Sequence, residues 1–157
     1  MKITLMVVGK TTQAPVRTLI DEYSRRISRY NPFEILELPD VKTSRKLTEQ
    51  KQKEMEGEMM LQRIQPGDFV VLLDEHGREL TSREFAADIE KKSVTVPRNL
   101  WFVVGGPYGF SPEVYARANQ QLSLSKMTFP HEMVRAFFTE QLYRAFTILR
   151  NEPYHHD

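Results

Sequence analysis

The sequence predicts an α/β protein, an alpha/beta sandwich around a mainly parallel sheet. Apolar, β-rich runs at 3–8, 33–38, 69–73 and 100–104 alternate along the chain with stretches of helical periodicity. That alternation is the pattern of parallel strands joined by helical crossovers. The runs 69–73 and 100–104 are apolar at every position, as strands covered on both faces are. At 157 residues the chain has the length of one domain, 1–157, enough to bury a core without disulfides or metals.

Taken in order, residues 3–8 are the first strand, ending at Gly9-Lys10. Pro15 suits the first turn of a helix on which Val16, Leu19, Ile20, Tyr23, Ile27 and Tyr30 share one face. Arg25 and Arg29 lie one turn apart on the other side, with Arg17 and Arg26 nearby; such residues either grip phosphates or keep a helix soluble. Residues 33–38 are the second strand, bounded by Pro32 and Pro39. The polar stretch from 40 to 65 places Lys42, Arg45 and Lys46 in a loop. It then carries Met55, Met59, Met60 and Ile64 at helical spacing, a stripe expected in the core. Residues 69–73 are a central strand, followed by Asp74-Glu75-His76-Gly77 as a turn. Thr81-Ser82-Arg83-Glu84 has the form of a capping box before Phe85, Ala86 and Ile89.

The remaining third carries the chemistry. Strand 100–104 empties into Gly105-Gly106-Pro107-Tyr108-Gly109, where glycines allow a sharp turn and a close approach to a ligand. Ser111-Pro112-Glu113 reads as an N-cap followed by proline at the first helical position. A short strand from Leu122 leads into a second loop, and a long amphipathic helix then carries Arg135, Glu140, Tyr143 and Arg144. The first loop is neither a dinucleotide fingerprint, which needs G-x-G-x-x-G, nor a P-loop, which needs Gly-Lys-Ser/Thr. Two such loops about twenty residues apart are expected to be two walls of one pocket.

Composition excludes several classes. No cysteine is present, so there is neither a disulfide framework nor a thiolate metal site. His76, His131, His155 and His156 lack metal-ligand spacing, and no metal is expected. The first residues lack the layout of a signal peptide and no apolar run has spanning length, so a soluble cytoplasmic protein with no membrane association is expected. The net charge is only +1, but residues 1–53 hold eleven Lys/Arg against six Asp/Glu, leaving the remainder acidic. That asymmetry hints at polyanion contact.

Val-Gly-Gly-Pro-x-Gly, then Leu-Ser-Leu-Ser-x-Met-Thr-Phe-Pro-His, then Glu-Gln-Leu-Tyr-Arg-Ala-Phe and a terminal Tyr-His together resemble the RlmH family. These are pseudouridine N3-methyltransferases of large-subunit ribosomal RNA, of the knotted (SPOUT) class. The resemblance covers essentially the whole chain. It implies a C-terminal trefoil knot, a homodimer, S-adenosylmethionine as methyl donor, and 23S RNA in the large ribosomal subunit or the assembled ribosome as partner. The donor positions it implies are Leu73, Gly105, Gly106, Leu124, Ser125, Lys126, Met127, Thr128 and Phe129. Methylating an imide nitrogen requires loss of a proton, for which histidine is the natural carrier near neutrality. His131 and His155 are the candidate bases. Arg135 and Arg144 are candidates to hold phosphate or carbonyls, and Tyr154 to stack on a base. The family's tails often continue with a basic residue where this chain has His156-Asp157. A knotted methyltransferase of transfer RNA and a non-catalytic ribosome-binding protein are the alternatives.

Overall fold

The computed structural model describes residues 1–41 and 47–157. Lys42, Arg45 and Lys46, expected in a loop, lie outside the described residues. Five strands, β1 (Lys2–Val8), β2 (Phe33–Leu38), β3 (Phe69–Glu79), β4 (Asn99–Val104) and β5 (Gln120–Ser123), form one sheet in the order β2-β1-β4-β3-β5. Every neighbouring pair is parallel. Helices α1 (Ala14–Ser28), α2 (Glu49–Arg63), α3 (Ser82–Thr95) and α4 (Pro112–Arg117) fill the crossovers, and α5 (His131–Leu149) follows the last strand.

The helices divide between the two faces, which explains the continuously apolar strands. Ile3, Leu5, Val7, Val71, Leu100, Phe102 and Val104 pack with residues of α1, α3 and α5. The alternate residues Met6, Val70, Leu72, Trp101 and Val103 pack with Met60 of α2 and Val114 of α4. A parallel sheet roofed on both sides has no solvated face on which to place polar residues. On the first face Phe102 meets Phe138 at 4.6 Å between ring centroids, with Phe85 against both. On the second face Met60 is fully buried, with Met59 and Ile64 packed partly against it. Met59, Met60 and Ile64 of the predicted stripe thus meet the core, while Met55 is half-buried outside it.

Local signals place the helix starts. Thr81 and Glu84 make both bonds of a capping box, at 3.1 and 2.9 Å. Ser111 caps α4 by accepting from the Val114 N–H, with Pro112 at the first helical position. The turn expected at 74–77 is corrected: β3 runs on to Glu79, slipping register so that Leu73 and Arg78 both face Leu122. Gly77 permits this, since a Cβ there would come within 2.7 Å of the Gln121 and Leu122 backbone. None of the described helices is long and apolar enough to cross a membrane.

Gly57 lies in the middle of α2 where that helix crosses α4. A Cβ at Gly57 would sit 2.5 Å from Ser111 Oγ and 3.1 Å from Val114 Cγ2. Helix propensity alone favours Gly57→Ala by about 1 kcal/mol, but overpacking costs about 1–3 kcal/mol and displacing Ser111 weakens a cap. Gly57→Ala should therefore destabilise the fold by roughly 1 kcal/mol in urea titration. A more stable variant would show that α2 and α4 can separate freely.

Candidate functional site

The C-terminal ends of β3, β4 and β5 lie side by side, with Leu73 opposite both Val104 and Leu122. Loops leaving the carboxyl ends of parallel strands are where open α/β sheets bind ligands. Here they enclose a pocket of about 650 Å³, lined by Leu73, Gly105, Gly106, Leu124, Ser125, Met127, Thr128, Phe129 and His131 among others. The sheet thus brings together eight of the nine donor positions that the resemblance implies. Lys126 is the exception: it does not line the pocket, and its ammonium faces Glu79 at 3.7 Å.

Close approach is what demands glycine in the first loop. A Cβ at Gly105 would press on Phe110 and on the Gly109 carbonyl at 3.2–3.3 Å, and one at Gly106 would collide with both carboxylate oxygens of Glu56. The left-handed glycine of this loop is Gly109, at φ 86. The second loop is braced internally. Ser123 Oγ donates to the Ser125 carbonyl at 3.0 Å, and the Met127 N–H donates to Ser125 Oγ at 3.0 Å. Thr128 donates to Glu75 across the pocket at 3.4 Å.

The proposed catalytic side chains separate into three places. His131 opens α5 and lines the pocket, exposed at its rim. Arg135, one turn on, is 1% exposed and is spent on the protein itself. It donates to the carbonyls of Val8 and Gly9 and to Thr11 Oγ1 at 2.8–2.9 Å. The expectation that it reaches RNA is corrected; it positions the start of α5 against the end of β1. Tyr154 and His155 stand outside their own chain's pocket. The Tyr154 hydroxyl donates to Glu140 at 3.0 Å and its ring packs edge-on to Tyr143, burial pushing its pKa up.

His155 lies between Arg144, 3.0 Å away, and Asp157, 2.9 Å away. Asp157 also pairs with Arg83 of α3 at 2.8 Å, so the acidic end of this tail has a cationic seat. Arg144 is bound to Glu140 at 2.6 Å, which occupies the group expected to hold phosphate or carbonyls. A smaller cavity of about 310 Å³ separates the tail from the pocket; it shares Leu124 and Phe129 with the pocket and reaches Glu140.

Several lining residues escaped the sequence reading. Asp74, Glu75 and His76 face the pocket because β3 continues through them, and Tyr115 donates to Asp74. Lys53 reaches the pocket from α2, and Glu56 lies beneath Gly106. Within a polar helix no periodic signal distinguishes these two from solvated charges. Among the described residues no cluster of three His, Asp or Glu side chains is arranged to hold a metal.

A parallel sheet whose last three strand ends build a glycine-walled pocket defines an α/β protein with a ligand site at the carboxyl ends of its strands. The family description "Predicted SPOUT methyltransferase" matches residues 1–155, and the chain belongs to that family. It is 55% identical over 157 residues, all of both chains, to a protein of Parabacteroides distasonis named Ribosomal RNA large subunit methyltransferase H. A protein of the same name from Christiangramia forsetii is 54% identical over 156 residues, 99% of each chain. A solved structure of a probable methylase family protein from Haemophilus influenzae is 15% identical, with a TM-score of 0.49, over 95% of this chain and 66% of its own.

Glu132 fastens the pocket rim. It accepts from the Thr12 hydroxyl at 2.7 Å and from the Thr12 and Gln13 N–H groups at 2.9 and 3.1 Å. The Thr12 hydroxyl above all, with these amides, lowers its pKa from 4.5 to about 2. A depressed carboxylate contributes stability above its unfolded pKa and loses it as pH falls through the folded one. Glu132→Gln should therefore flatten the stability profile between pH 4.5 and about 2. Parallel acid limbs for variant and wild type in thermal melts would refute this.

Proposed function

We propose that the protein methylates N3 of a pseudouridine in 23S ribosomal RNA of the large subunit, with S-adenosylmethionine as methyl donor, in the cytoplasm. The observation that carries the reading is the convergence of Leu73, Gly105 and the 124–129 loop on one pocket. It occurs in a chain matched over its whole length by relatives named for large-subunit ribosomal RNA methylation. The C-terminal trefoil knot of the class belongs to the same proposal.

The residues present fit such a donor. Gly105 and Gly106 line the pocket, and glycine is needed there because a Cβ would press on Phe110, Gly109 and Glu56 behind the wall. Leu73, Met127 and Phe129 supply apolar surface for a purine, and main-chain groups of the 124–129 loop that its internal bonds leave free supply polar contacts to its edge. S-adenosylmethionine brings a methyl group already activated on a sulfonium, so the chain's work is alignment, closeness and removal of the N3 proton. His131, on the rim, is positioned to take that proton. Arg135 and Glu132 hold His131 in place by anchoring the first turn of α5.

Tyr154 and His155 serve a site only if a second copy presents them, and a homodimer supplies one. The apolar arc of α5 is less bare than its sequence suggests, because α1 and α3 cover much of it. What stays exposed is Phe137, 41% accessible and 5.0 Å from Phe129 at the pocket's edge, which favours a partner seated there.

Calorimetric titration of the donor, with mass spectrometry of ribosomal RNA from a deletion strain, tests the reading. Donor binding together with loss of one large-subunit methylpseudouridine is expected. No binding would point to a non-catalytic ribosome-binding protein, and a mark lost from transfer RNA to the alternative enzyme. Gly105→Val should weaken donor binding by at least ~100-fold, about 2.7 kcal/mol, while the protein stays folded; unchanged affinity would remove Gly105 from the site. For the dimer, a Gly105→Val subunit is paired with one carrying Tyr154→Ala and His155→Ala. Activity regained in the mixed dimer is the expected outcome, since the intact tail then serves its partner's pocket; no recovery would mean that the tail does not act across the dimer.

A further inference from the structure

Glu56 is the least explained charged group beside the pocket. It lies in the middle of α2 and is 1% exposed. Gln52 Nε2 donates to its Oε2 at a long 3.3 Å, and its Oε1 has no partner among the described residues. Buried carboxylates are normally paired or fully hydrogen-bonded, because an uncompensated one destabilises the fold. Burial pushes the pKa of Glu56 up, and the nearby Asp40 carboxylate adds to the rise. Nothing in the packing of α2 on α4 needs a charge at this position. What the carboxylate does touch is the pocket wall: Gly106 lies so close above it that any side chain there would strike both oxygens. Gly106 lines the pocket on its other side. Only one glycine's thickness of backbone separates a buried negative charge from the ligand space.

We propose that Glu56 is a countercharge set behind Gly106, whose ionised form a bound cation favours, so that the pocket prefers a positively charged sulfonium donor to its neutral thioether product. The inference rests on the methyl-donor reading above. The donor and its demethylated product share adenosine and amino-acid parts and differ by one methyl group and one positive charge. A carboxylate shielded from water and salt acts on that difference more strongly than a solvated one. It would oppose retention of product after transfer, a property that loop shape alone does not confer. Glu56 is thus a positioning and selectivity residue that acts through the backbone, and it has no need to touch the reacting atoms.

Charge and shape can be separated. Glu56→Gln keeps the shape and removes the charge; Glu56→Asp keeps the charge and shortens the reach. Each full-length protein is titrated calorimetrically with S-adenosylmethionine and with S-adenosylhomocysteine, and its folding is checked by thermal melting. The ratio of the two affinities should shift toward the thioether by about 10-fold in Glu56→Gln, with thioether affinity changed by less than about 3-fold. Glu56→Asp should retain most of the wild-type ratio. Equal weakening of both ligands in Glu56→Gln, or an unchanged ratio, overturns the proposal. So does a Glu56→Gln chain that fails to fold where Glu56→Asp folds, because the carboxylate would then be a folding group. If the wild type binds neither ligand, the donor-pocket reading itself has failed, which these outcomes keep distinct.

Discussion

The guanidinium of Arg135 joins the two halves of the molecule that the site requires. It lies on the first turns of the last helix and ends on the carbonyls that finish the first strand, with Thr11 and Glu37 closing the ring. A cation this deeply buried is stable only because acceptors surround it, and losing it would leave those acceptors bare. Glu132 repeats the connection from the preceding turn, gripping the Thr12 and Gln13 amides. Two opposite charges on adjacent turns therefore fix where α5 begins, and His131 is the residue at that beginning. The pocket rim inherits its geometry from contacts 120 and 126 residues apart in sequence.

The pocket itself is a product of strand order. β3, β4 and β5 are neighbours although a helix separates each from the next in the chain. Parallel pairing points all three carboxyl ends the same way, so their loops meet. Gly105 and Gly106 line that meeting place, and having no Cβ lets Phe110 and Glu56 pack directly behind them. The same thinness places Glu56 within electrostatic reach of whatever the pocket holds.

Charge on the surface is more committed than its distribution along the chain suggests. Of the three arginines of α1 and Arg29 at its C-cap, Arg26 pairs with Glu22 at 2.5 Å and Arg17 donates to the Thr11 carbonyl at 2.8 Å. Arg25 and Arg29 remain exposed one turn apart. At the other end, Asp157 bridges Arg83 and His155, which gives the acidic tail a structural use where a basic one was expected.

The α/β class, the five strands, the capped helix starts at Thr81 and Ser111 and the buried methionines were legible from the residues. Strand apolarity, caps and helical periodicity are local consequences of side-chain chemistry. The glycine loop and the 124–129 loop were legible as two walls, and the motifs supplied Leu73. What the sequence left open depended on contacts between distant segments. Arg135, expected to face RNA, is buried because α5 docks on the end of β1, and no local pattern records where a helix docks. Residues 74–77, with the composition of a turn, stay in the strand because Gly77 lets β3 lie against the Gln121 backbone. Glu56, lost among solvated charges, is buried because α2 lands under Gly106. Local chemistry thus determined which elements form and how they start. Only the packed sheet decided which charges lose their water, since desolvation is a property of three-dimensional neighbours and not of sequence neighbours.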